Sequence, residues 1–119
     1  MQEINNIVRH GDVDIIPIEM TSLKSIPKEA IQQKDNVVMH GESGHTHKIK
    51  NGQILVMPES VEVKTSSGTK QVEKFLHISE TTTISHEEHL TKPILKGDYI
   101  VLQEREMDHI AEVERIVLD

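Results

Sequence analysis

The 119 residues carry 13 Lys and Arg against 20 Asp and Glu, a formal net charge of −7, with one Phe, one Tyr, no Trp and no Cys. Such a chain lacks the clustered cations and stacking rings that nucleic-acid binding rests on, so no nucleic-acid partner is expected. The absence of Cys removes disulfides, thiolate nucleophiles and cysteine-ligated zinc. What remains conspicuous is histidine, which appears 8 times.

At 35% hydrophobic and 28% charged, the composition is polar but still that of a globular chain. A core must come from Ile, Val, Leu and Met, and the length suits one domain, residues 1–119. The opening residues lack a basic start followed by an apolar run, and no stretch approaches the roughly 20 apolar residues of a spanning helix. A cytoplasmic protein without a membrane partner is the expectation.

In chain order, Val13 to Ile18 is β-branched and reads as a strand, with Pro17 marking an edge or a bulge. Pro27 and the KEAIQQK that follows have the makings of a helix of one or two turns. Val37 to His40 is strand-like and runs into the turn composition Gly41-Glu42-Ser43-Gly44. HTHKIK and QILVM flank Asn51-Gly52, the dipeptide best suited to a type I′ hairpin turn. SVEVKT and KQVEKFLHIS flank Ser66-Ser67-Gly68, a second hairpin. Thr81 to Ser85 is β-prone, Pro93 closes any helix begun at HEEH, and Tyr99 to Gln103 is the strongest strand signal. At the C-terminus, Ile116-Val117-Leu118 favours strand. Eight or nine short strands with frequent turns predict an all-β fold, a small antiparallel barrel or sandwich with at most one short helix.

Two histidine pairs carry the chemistry. On a strand, His45 and His47 leave the same face with Cα atoms roughly 6–7 Å apart, so both rings can reach one ion at roughly 2.0–2.1 Å. His86 and His89, three apart, can point inward from a tight turn, with Glu87 or Glu88 as a further ligand, a general base or an orienting carboxylate. The spacing is not H-E-x-x-H, so no peptidase is implied. Isolated histidines are ordinarily surface or hydrogen-bonded groups, and His10 and His109 take that reading. His77, on the strand face of Phe75, reads as half-buried and structural, and His40 as a ligand or a loop residue. Gly41–Gly44 is no phosphate loop, and Ser60, Ser79 and Ser85 sit in no nucleophile elbow.

The strand-borne His45-Thr46-His47 with further histidines downstream resembles the metal motif of the cupin superfamily. That resemblance implies a cupin-like fold, although Lys50-Asn51-Gly52 stands where cupins carry a Glu. Most of the chain also resembles a group of short, uncharacterised bacterial and phage proteins. The matching elements are His10-Gly11-Asp12, Gly41-Glu42-Ser43-Gly44-His45-Thr46-His47, Ser85-His86-Glu87-Glu88-His89 and Gln103-Glu104-Arg105-Glu106. This second likeness implies no activity, only that these histidines belong to one site.

The first reading is therefore a protein holding one divalent metal (zinc, iron, manganese or nickel) on His45, His47, His86 and His89. Four histidines would close a structural site; three would leave a Lewis acid for a small-molecule substrate, with Glu88, or failing that Glu42, as general base. A metal-free acid–base group or pH-responsive network is a second use of the same residues. The alternatives from other classes are a non-enzymatic homo-oligomeric interaction module, of phage origin in one version, and a binder of small anions. A homo-oligomer is expected because the core is thin.

Overall fold

The computed structural model of the chain describes residues 6–40, 46–87 and 90–103. His45, His89, Glu42, Glu88, His109 and the segments 41–44 and 116–118, expected as a turn and a strand, lie outside the described residues. Ten strands run in the order β1 (Val8–His10), β2 (Val13–Pro17), β3 (Ile31–Gln32), β4 (Val37–His40), β5 (Thr46–Ile49), β6 (Gln53–Thr65), β7 (Gly68–Ile78), β8 (Thr82–Ser85), β9 (Lys92–Ile94) and β10 (Gly97–Gln103). A single 3-10 turn, Ile18–Met20, is the one helical element among the described residues.

Every pairing is antiparallel, and the strands form two sheets. One has six strands, β1-β2-β10-β7-β6-β3, and the other four, β4-β5-β8-β9. They face each other as a sandwich and do not close into a barrel. Between them, Val13, Ile15, Ile54, Leu76, Ile78, Tyr99 and Val101 meet Val38, Ile49, Ile84 and Ile94. The buried Tyr99 hydroxyl donates to the Leu95 carbonyl at 2.6 Å, and burial pushes its pKa up to about 12.

The six-stranded sheet is apolar on its other face as well. There Phe75, Ile100, Val63 and Val72 are covered by Ile18 of the 3-10 turn, with Leu23 and Ile26 packed alongside. This double covering explains the unbroken Tyr99-Ile100-Val101 run, because alternate side chains of β10 enter two different cores.

Several local expectations change. Asn51-Gly52 does not turn a hairpin: β5 belongs to the four-stranded sheet and β6 to the six-stranded one, so the dipeptide is a crossing between sheets. The Lys50 amide donates to Thr83 O and the Asn51 amide to Thr82 Oγ1, which ties the crossing to β8 instead of to its own strand. Residues 28–34 form no helix; Ile31–Gln32 pairs with Val56 and Leu55 as an edge strand. With only Ala30 and Ile31 apolar in KEAIQQK, a helix there would have no stripe to bury. β2 is not an edge, yet its pairing with β1 stops at Ile15, so Pro17 lies past the reach of β1. The Ser66-Ser67 turn does close the long β6–β7 hairpin, with Thr65 opposite Gly68.

Candidate metal centre

Sheet register brings two of the sequence-predicted residues together. Lys48 lies opposite Ser85 and Ile49 opposite Ile84, so one more step along the ladder sets His47 beside His86. Their ring centroids are 4.4 Å apart. Strand alternation sends His47 inward with Ile49 while Lys48 faces solvent, and His47 is fully buried. The His86 side chain is only 4% exposed. One member of each predicted pair thus reaches a common place, while His45 and His89 lie outside the described residues.

A third ring comes from the other sheet. β1 ends at His10, and Gly11, at φ +63°, turns the chain with Asp12 into β2. That turn needs a residue at ease with positive φ. Edge strand β1 runs beside edge strand β9, where the Lys92 ammonium donates to the Arg9 carbonyl. His10 is as buried as His47, and its centroid lies 5.1 Å from that of His47 and 6.2 Å from that of His86. Of the two default readings of His10, surface or hydrogen-bonded, the surface one gives way: the ring is buried and hydrogen-bonded at the junction between the two sheets. The signal that marks it is His10-Gly11-Asp12 as a unit, since Gly11 makes the turn and Asp12 joins the site.

Hydrogen-bond accounting assigns the ring protons. His10 Nε2 lies 2.8 Å from the Leu90 carbonyl, which can only accept, so Nε2 carries the hydrogen. His47 Nε2 lies 3.0 Å from Asp12 Oδ1, a carboxylate oxygen that likewise accepts. In their neutral forms both rings then present a bare Nδ1, and these two nitrogens face each other at 2.9 Å. A proton or a metal ion placed between these two nitrogens would offset the repulsion of their lone pairs. Burial pushes the His47 pKa below its ordinary value; the Asp12 hydrogen bond pulls it up, and the His86 and His10 rings add to the lowering. The bare-nitrogen form, the one metals take, is the form that burial favours.

A carboxylate and a backbone carbonyl behind two imidazoles, as Asp12 and Leu90 stand here, are the kinds of group that orient histidine ligands in metal sites in general. Asp12 is held in turn by Gln103 Nε2, 2.9 Å from its Oδ2. Glu87 Oε2 accepts from the Thr46 amide at 3.2 Å and stands 4.0 Å from His86 Nδ1, which fastens the 86–87 segment to the start of β5. Among the described residues, no group of three or more His, Asp and Glu side chains already forms a metal-ligand set. His40 is exposed, and its carbonyl accepts from Gln103. His77 is exposed rather than half-buried, its Nδ1 lying 2.6 Å from Asp98 Oδ1. An open cleft of about 870 Å³ is lined by Arg9, Asp14, Lys70 and Lys74 among others, but by none of the three clustered histidines. Two of its cations are engaged, Arg9 with Asp14 at 3.7 Å and Lys74 with the Val38 carbonyl at 2.9 Å. Among the described residues no helix is long and apolar enough to cross a membrane.

A family model described as Domain of unknown function (DUF8820) matches residues 9–104. The chain belongs to the DUF8820 family. The matched span takes in every residue of the network, from His10 and Asp12 through His47 and His86 to Gln103. No curated protein and no solved structure matches the chain. The DUF8820 assignment agrees with the expected uncharacterised family and brings no activity with it.

Proposed function

We propose that this protein binds one divalent metal ion at the junction of its two sheets, with His10 and His47 as ligands through Nδ1 and His86 beside them. The observation that carries the reading is the approach of the two Nδ1 atoms to 2.9 Å, each ring held by an acceptor on its far side. At that separation both lie within about 2.0–2.1 Å of a common point, the bond length of imidazole to zinc. A proton is the other cation that fits the gap, but the burial that lowers the His47 pKa works against holding one at neutral pH.

The donor set is borderline imidazole nitrogen, suited to zinc, iron or nickel more than to manganese, which favours oxygen donors. His45 and His89, the residues before Thr46 and Leu90 in sequence, complete the proposed shell. If one position stays open, the ion is a Lewis acid for a small-molecule substrate, and Glu88 or Glu42 is the candidate base. His47→Ala and His10→Ala should each abolish retention of zinc or nickel through gel filtration, with the β-sheet circular dichroism preserved. Retention of one equivalent by both variants would overturn the assignment of these two ligands.

A further inference from the structure

Behind His47 the hydrogen bonds run in one direction. Gln103 Nε2 donates to Asp12 Oδ2 at 2.9 Å and to the His40 carbonyl at 2.8 Å. Both partners can only accept, so the amide cannot be turned over without aiming its oxygen at a carboxylate and a carbonyl. The Gln103 side chain is thus anchored on β4 as a donor and grips one oxygen of Asp12. The other oxygen, Oδ1, is left for His47 Nε2.

We propose that Gln103 is the positioning residue of this centre. From its anchor on the His40 carbonyl it holds the Asp12 carboxylate against His47 Nε2–H, and so aims His47 Nδ1 at His10. Its consequence for metal rests on the reading above; its consequence for the His47 ring does not.

The direction of the chain of bonds makes a sharp test. In Asp12→Asn, the anchored Gln103 donor forces the new amide to turn its oxygen to Gln103 and its NH2 to His47. His47 must then accept at Nε2 and carry its proton on Nδ1, the wrong nitrogen for a ligand. That Nδ1–H can donate to the bare His10 Nδ1, so the metal-free variant should keep its fold. Adding Gln103→Met removes the donor and frees the amide to turn its oxygen back to His47.

The measurements are the ¹⁵N shifts of the His47 ring in metal-free protein and zinc affinity by chelator competition. Wild type should show the Nε2–H tautomer, Asp12→Asn the Nδ1–H tautomer, and the double variant a return to Nε2–H. Zinc affinity should fall about 10- to 100-fold in Asp12→Asn and recover by about tenfold in the double variant. Gln103→Met alone should lower zinc affinity by about tenfold with unchanged circular dichroism, and it serves if Asp12→Asn does not fold. A purely structural Gln103 predicts no rescue. The same His47 tautomer in both Asn variants, or wild-type affinity in a zinc-binding Gln103→Met, overturns the proposal. Tautomers that switch and return in a protein that holds no zinc would uphold the positioning role and remove the metal reading alone.

Discussion

Each of His10 and His47 has one ring nitrogen against an acceptor and the other against its fellow, so the pair responds to the protons its rings carry. The lowered pKa of His47 has a consequence for the metal-free protein. The unfolded chain keeps a histidine pKa of about 6.5, whereas the folded chain holds His47 below it. Between the two values the unfolded state binds more protons, so His47's share of stability is full above about pH 6.5 and is lost as pH falls through the folded value. Among the described residues, Asp12, His86 and His10 face His47. Thermal melts of chelated protein between pH 7.5 and 5.5 should show a falling Tm, with a shallower fall in His47→Gln. A Tm that rises on acidification would mean that the pair gathers a proton on folding.

Among the elements, the Asn51-Gly52 crossing is the most demanding connection, because it hands the chain from one sheet to the other. Gly52 sits at φ +116°, and a Cβ there would stand 2.7 Å from Ile78 Cδ1. Ile78 is 1% exposed, so its Cδ1 can give way only by displacing packed core neighbours. Gly68 has a similar φ of +109° but open space around it. Both Gly→Ala changes carry backbone strain, and only Gly52→Ala adds overpacking, so it should cost roughly 1–3 kcal/mol more in urea unfolding. Equal losses would show that the contact with Ile78 is unimportant. The same dipeptide shows where local sequence misleads. Asn-Gly favours tight turns, but whether the flanking strands pair is decided by the partners each finds. β5 finds β4 and β8, while β6 finds β7. By contrast, the β6–β7 hairpin and β10 were legible, since strand patterning and turn chemistry agree with the tertiary pairing there.

At the scale of the molecule, the all-β class follows from short β-branched runs between turns, and the choice of sandwich over barrel follows from the sheet edges that remain. The site was legible only in part. Strand alternation is local, so the inward direction of His47 could be read from His45-Thr46-His47 and Ile49. The meeting of His47 with His86 depends on the β5–β8 register, and the arrival of His10 depends on β1 lying beside β9. Neither is written in any stretch of neighbouring residues. The role of Gln103, 91 residues from Asp12, is hidden for the same reason.

The most direct test is the metal content of the full chain, purified without an affinity tag, by elemental analysis. It would be measured as isolated, and again after incubation with zinc, nickel, manganese or, without oxygen, iron(II), followed by gel filtration. The predicted result is about one ion per chain for at least one of these metals, with a higher Tm that chelator reverses. Protein that emerges from every incubation with no bound metal and an unchanged Tm would contradict the account.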